Sequence, residues 1–152
     1  MIDISMLISY CQRDPRWAEK AMPPSSLKLG RYGCTVTCLA DLSTYFNDNL
    51  TPDQVVDKIK FTSGGLIIWS SCVFEHFEFV RREYGFNDQA IKTALFGSPD
   101  TAVILEVDHS HWVVVIGRDI FGRYRIADPW FGDKSVVSRY KQVTGAAYFK
   151  RH

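Results

Sequence analysis

Hydrophobic residues follow a helical spacing over much of the first half of the chain and form alternating, β-branched runs later. After Gly33 the apolar positions lie in two stripes that together cover much of a helix circumference. The pattern predicts a buried central helix that begins at Cys34. Its stripes contain Leu39, Leu42 and Phe46 in one row and Cys38 and Tyr45 in the other.

Three further helices are predicted from their boundary residues. Thr51-Pro52-Asp53-Gln54 has a cap, a first-turn proline and a glutamine three residues after the cap, which predicts a helix over 51–60. Ser71 and Gly85 are typical start and stop residues for a helix over 72–84. Asn87 is the expected cap of a helix that runs to Gly97.

The pattern changes after residue 100, where β-branched residues become frequent. Runs 102–107 and 112–116 flank a polar segment and predict an antiparallel hairpin. Segment 123–127 alternates and predicts a third strand. A short helix over 138–143 and a last strand over 146–149 complete an α+β fold, with helices before a sheet.

The N-terminal part contains less regular signals. Residues 6–10 form a short apolar run, expected to be a strand or a buried extended segment that leads to Gln12. Residues 14–31 are rich in Pro, Ser, Lys and Gly, and Pro23-Pro24 excludes a regular helix there. We expect irregular surface chain in this region, with Trp17 as its anchor.

Composition limits the possible classes of protein. The 152 residues, 46% of them hydrophobic, are enough for one core and predict a single domain over 1–152. A net charge of +1 gives no attraction for nucleic acid. No signal peptide and no run of about 20 apolar residues is found, so we expect a cytoplasmic protein without membrane insertion. The sequence carries no signal of oligomeric state.

The cysteines at positions 11, 34, 38 and 72 are expected to be free thiols, because the chain is rich in core residues and lacks a secretory signal. Cys34 is the candidate nucleophile. It follows Gly33 at a helix start, where free N–H groups and partial positive charge favour a thiolate. Cys38 lies one turn further into the helix and lacks the exposure of a residue at the helix start. Cys11 and Cys72 are expected to be packing residues.

A base for this thiol is expected from the predicted sheet. His111 directly precedes the apolar run Trp112 to Ile116, which places it at the start of a rigid strand. His109 is the competing candidate, but it is expected to lie in the hairpin turn. Asp128, which directly follows the strand 123–127, is the candidate carboxylate partner of this histidine, and Asp133 is the alternative. Gln12 has a side-chain amide which, with the backbone N–H of Cys34, could stabilise an oxyanion.

Gln12, Cys34, His111 and Asp128, in this order and at these intervals, resemble the papain-like cysteine peptidases of the double-glycine leader peptidase-like family. The resemblance covers nearly the whole chain. It implies a papain-like fold, in which N-terminal helices with a buried central helix pack on a C-terminal antiparallel sheet. It also implies that Asp128 orients His111, that Gln12 contributes to the oxyanion hole, and that a peptide bond is hydrolysed through an acyl-enzyme.

This chemistry requires no cofactor, because neither metal nor nucleotide is needed to activate a thiolate. Expected substrates are peptides or proteins with a small residue at the cleavage point, which the relatives prefer. Peptidoglycan peptides are an alternative substrate, which a lytic enzyme of phage type could reach after cell lysis. Acyl transfer to an amine is a third possibility. The resemblance does not extend to the specificity of the leader-cleaving family members for a double glycine.

Two alternatives belong to other classes of function. Cys34, Cys38, His109 and His111 could supply four zinc ligands, although this spacing is not typical of structural zinc sites. The chain could also be a catalytically silent papain-like module that binds a peptide or another protein, because folds change their use easily.

Overall fold

A computed structural model describes residues 3–152 and shows an α+β fold built on one six-stranded sheet. All neighbouring strands are antiparallel. Their order across the sheet is β1-β6-β2-β3-β4-β5. The strands are β1 (Phe77–Tyr84), β2 (Thr101–Val107), β3 (His111–Arg118), β4 (Tyr124–Asp128), β5 (Asp133–Val136) and β6 (Val143–Arg151).

The helices are short apart from two. They are α1 (Leu29–Tyr32), α2 (Cys34–Tyr45), α3 (Pro52–Val56) and α4 (Asp88–Gly97), with 3-10 turns at Ile4–Met6, Trp69–Ser71 and Val137–Arg139. Between residues 3 and 152 no helix combines the length and the apolar character that crossing a bilayer requires.

The prediction of a buried central helix is confirmed by α2. Its residues from Val36 to Tyr45 are all buried, and it packs on β3. The cluster around it includes the sheet residues Trp112, Val114 and Ala127. A second cluster lies on the other face of the sheet, where α4 contributes Ile91. Asn87 caps α4 as predicted, with its side chain accepting the Ala90 N–H at 3.1 Å.

The predicted helix over 72–84 is wrong, because Phe77–Tyr84 form strand β1. Phe77 and Phe79 point together into the core at a spacing of two residues, which a helix does not allow. The strand pairs with β6 along its length. One strand therefore precedes α4, and the order of helices followed by a sheet holds only in part.

Other boundaries also differ from the sequence predictions. Helix 51–60 ends at Val56, before the chain turns towards the bridge between Phe61 and Ile67. The predicted helix over 138–143 is wrong: a 3-10 turn ends at Arg139, the carboxylate of Asp108 accepts hydrogen bonds from the N–H groups of Lys141 and Gln142, and Val143 begins β6. The polar strand β5 was not predicted. The hairpin of β2 and β3, the strand β4 and the last strand are confirmed.

Residues 7–10 form neither a helix nor a strand and follow a 3-10 turn at Ile4–Met6. Only Leu7 of the apolar run is fully buried, so the run is neither the strand nor the buried segment expected. The chain from residue 14 to 28 is irregular, as predicted, but residues 29–31, which were included in the irregular segment, belong to α1. Trp17 anchors it: the ring is buried, and its Nε1 donates to the Cys11 carbonyl at 2.9 Å.

Candidate active site

Cys34 is the first residue of α2, and the structure explains why a glycine precedes it. Gly33 has φ −92°, which any residue can adopt. A Cβ on Gly33, however, would lie 2.5 Å from the carbonyl oxygen and 2.7 Å from Cγ of Leu29. The glycine therefore allows α1 and α2 to meet closely. This contact places the half-buried Cys34 side chain where the first N–H groups of α2 lack helical partners.

The other three cysteines are in different surroundings, and all four thiols are free. Burial raises the pKa of the Cys38 thiol well above its usual value, and Cys38 has no exposed surface. Burial also raises the pKa of Cys72 to about 12. Cys11 Sγ lies 3.6 Å from the carbonyl oxygen of Trp130, in a packing position. Cys34 is thus the thiol that lies at a helix start beside a cleft.

His111 and Asp128 lie side by side at the same end of the sheet. His111 is the first residue of β3, and its Nε2 lies 2.8 Å from Oδ1 of Asp128, the last residue of β4. His109 lies in the turn between β2 and β3, with a positive φ of 58°. The structure therefore pairs the expected histidine with the expected aspartate. Asp133, the alternative third residue, instead forms an ion pair with Arg139.

Asp128 is fully buried and accepts three hydrogen bonds besides that of His111. The Trp130 N–H donates at 3.1 Å, Nη1 of Arg139 donates at 3.0 Å, and the hydroxyl of Tyr140 donates to Oδ2. Arg139 and Tyr140 were not among the residues predicted for the site. Their segment was predicted to be a helix, and nothing local in it indicates a partner 11 or 12 residues away.

The electrostatics of this pair favour the charged forms. Burial lowers the pKa of His111, but its interactions with Asp128 and Cys34 outweigh burial and raise the pKa to about 9. Burial alone would raise the pKa of Asp128, but the hydrogen bonds from His111 and Tyr140 lower it. Near neutral pH the pair is an imidazolium beside a carboxylate. Such an imidazolium stabilises a thiolate and can donate a proton.

Gln12 lies beside this pair and is almost fully buried. Its side-chain Nε2 donates to the Gly30 carbonyl at 3.3 Å, and its backbone N–H donates to the Pro129 carbonyl at 2.8 Å. An amide nitrogen has two N–H groups, so one remains for another acceptor. Gln12 and Cys34 line the same cleft.

Two contacts fix the segment that carries Gln12. The Tyr10 N–H donates to Oδ1 of Asp41 in α2 at 2.8 Å, and burial raises the pKa of this carboxyl well above its ordinary value. Behind Cys11, Gly132 has a φ of +70°, and a Cβ there would lie 2.7 Å from the Cys11 Cβ. The glycine thus allows the loop that follows Asp128 to pack directly on the segment before Gln12.

Two open clefts meet at Cys34, and Tyr32, Cys34 and Ser110 line both. We name them by one residue each. The His111 cleft has a volume of about 370 Å³ and is also lined by Gln12, Trp130 and Tyr140. The Trp112 cleft has a volume of about 500 Å³ and extends past Trp69, Trp112, Arg82 and Glu106. Together they form a groove with the thiol between its two halves.

Compared with protein-family models and with curated proteins, the chain matches none. Its chemistry must therefore be inferred from the site itself.

The four residues of the alternative zinc site are not brought together. Cys38 is sealed in the core, and His109 lines the Trp112 cleft, whereas His111 lines the His111 cleft. Within residues 3–152, the one group of three metal-binding side chains whose ligand atoms lie within 4.8 Å is Asp48, Glu75 and His76. In that group Asp48 is already paired with His76.

Proposed function

We propose that the chain is a papain-like cysteine peptidase that hydrolyses peptide bonds through a Cys34 thiolate. The observation that supports this most strongly is the contact of His111 with the buried Asp128, 2.8 Å between Nε2 and Oδ1, because His111 lines the same cleft as Cys34. A nucleophile, a base and a group that orients the base are the parts that nucleophilic acyl chemistry requires.

The mechanism follows from the positions of these groups. The Cys34 thiolate attacks the carbonyl carbon, and the negative oxygen that forms accepts hydrogen bonds from the Cys34 N–H and the free N–H of Gln12. His111 in its imidazolium form then gives a proton to the departing amine. The remaining thioester is hydrolysed by water, with His111 accepting the proton from the water.

His111 also gives the groove a direction. The departing amine must lie within reach of the proton donor, and His111 lines the His111 cleft but not the Trp112 cleft. The amine side of the substrate is therefore assigned to the His111 cleft. The acyl side is assigned to the Trp112 cleft.

The decisive experiment compares wild type, Cys34→Ala and the matched control Cys38→Ala. Each is incubated with a mixed peptide library and, separately, with purified cell walls, and the products are identified by mass spectrometry. We expect peptide cleavage by wild type and Cys38→Ala and none by Cys34→Ala. Cleavage by the Cys34 variant would refute the proposal, and products from cell walls alone would change the substrate to peptidoglycan peptides.

A second measurement tests the thiol directly. Iodoacetamide should alkylate Cys34 faster than the other three cysteines, and His111→Ala should slow this reaction. Equal rates for Cys34 and Cys11, combined with no product from any substrate, would favour a silent binding module.

A further inference from the structure

The Trp112 cleft is lined by an ion pair that the proposed chemistry does not use. Nη2 of Arg82 in β1 lies 3.3 Å from Oε2 of Glu106 in β2, and the side chains are only 13% and 16% exposed. Oε1 of Glu106 also accepts the Thr144 hydroxyl at 2.9 Å. The guanidinium carbon lies 4.1 Å from the centre of the Tyr84 ring and 4.8 Å from that of Trp112.

Strand β6 lies between these two residues, and Gly145 allows the pair to form across it. Gly145 is opposite Tyr84 on one side and opposite Glu106 on the other. A Cβ on Gly145 would overlap Nη1 of Arg82 and would lie 3.1 Å from the Glu83 carbonyl oxygen. Glycine therefore leaves the room in which the guanidinium crosses the strand and reaches Glu106, and a Cβ would displace it from this position.

The pair is held rigidly, yet both partners line the cleft. A guanidinium has five N–H groups, and the contacts of Arg82 with Glu83 and Glu106 use two of them. The carboxylate of Glu106 likewise has lone pairs beyond those used by Arg82 and Thr144. The cleft thus presents donors and acceptors next to each other on a surface with little net charge.

We propose that Arg82 and Glu106 form a subsite for a carboxamide side chain, asparagine or glutamine, on the acyl side of the cleaved bond. This inference rests on the proposed peptidase function, which assigns the acyl side to the Trp112 cleft. A carboxamide accepts a hydrogen bond from Arg82 and donates one to Glu106 at the same time. A charged side chain is attracted by one partner and repelled by the other, and an apolar one leaves both without new bonds.

The test uses peptides that differ at one acyl-side position, with Gln, Met, Glu or Lys placed in turn at each of several positions before the cleaved bond. Wild type should prefer Gln over Met by about tenfold in kcat/KM at one position. Glu106→Gln leaves the guanidinium unneutralised and should shift the preference to Glu. Arg82→Met leaves the carboxylate unneutralised and should shift it to Lys.

Arg81→Met is the matched control. Arg81 is adjacent in β1 but stacks on Tyr148, 4.1 Å from the ring centre, and Tyr148 belongs to the cluster on the other face of the sheet. Its substrate preference should equal that of wild type. If all variants keep one preference and only the melting temperature falls, the pair merely ties β1 to β2, and the inference is wrong.

Failure of the peptidase proposal would be distinguishable, since wild type would then cleave no peptide. In that case binding of the same peptides to wild type is measured through the fluorescence of Trp112, with Trp112→Phe to identify its signal. Tighter binding of the Gln peptide than of the Met peptide, lost in Arg82→Met, would still support the subsite. Equal binding of the two peptides would overturn it.

Discussion

Nε2 of His111 lies 2.8 Å from Oδ1 of Asp128, although 17 residues separate them in the chain. The antiparallel pairing of β3 and β4 brings the start of one strand beside the end of the other. Because Asp128 also binds Trp130, Arg139 and Tyr140, the carboxylate is fixed and can hold the imidazole in one orientation.

Asp128→Asn should preserve the fold and lower the rate of peptide hydrolysis by roughly 10³-fold or more. An asparagine side chain can place an amide nitrogen against Nε2 of His111, and it no longer stabilises the imidazolium. The rate is measured as kcat/KM. Asp133→Asn is the control, because Asp133 contacts Arg139 at the surface and should change the rate little. A larger loss in the control would make Asp133 the third residue of the site.

Tyr140→Phe removes one hydrogen bond from Asp128. The aromatic ring stays beside His111, with 5.5 Å between the centres of the two rings. That hydrogen bond helps to lower the pKa of Asp128, so the pKa should rise in the variant. We expect about tenfold slower hydrolysis and an acid limb of the pH profile displaced to higher pH. Tyr148→Phe is the control, since the buried Tyr148 hydroxyl has no hydrogen-bond partner within residues 3–152. An unshifted acid limb would contradict a positioning role for Tyr140.

Gly33→Ala should destabilise the folded protein by about 1–3 kcal/mol, because the new methyl group overlaps Leu29 and the chain has no space to absorb it. The start of α2 must then move, and alkylation of Cys34 should slow. Gly97→Ala is the matched control: its Cβ would have Thr93 Cγ2 at 3.9 Å as its nearest neighbour. Urea unfolding and the alkylation rate measure the two effects. Equal stability of the two variants would show that the contact with Leu29 is dispensable.

Stability should fall at alkaline pH because of His111. Its pKa is raised from 6.5 to about 9 on folding, so the protonated ring stabilises the native state. This contribution, roughly 3 kcal/mol, is fully present below pH 6.5 and is lost as the pH rises through 9.

The free energy of unfolding in urea, measured across this pH range, should show this loss in wild type and in His109→Gln. It should be missing from His111→Gln. The same slope in His111→Gln would mean that another group causes it.

The sequence by itself determined the features that depend on neighbouring residues. The period of apolar residues marked α2, and Asn87 marked the start of α4, because capping and amphipathic spacing act within a few residues. The β-branched runs before and after the turn at Asp108 predicted β2 and β3. Cys34, His111 and Asp128 stand at the boundaries of such elements, and their order along the chain, together with Gln12, made them candidates.

Only the tertiary structure decided what lies across the sheet. Residues 77–84 formed a strand instead of a helix because β6 offers them a partner, and sheet pairing overrides weak local signals. Arg139 and Tyr140 reach Asp128 through the folding of the chain after β5. Gly145 leaves room for the side chain of Arg82, which crosses it from another strand. These contacts join residues far apart in the chain, and no pattern of neighbouring residues encodes them.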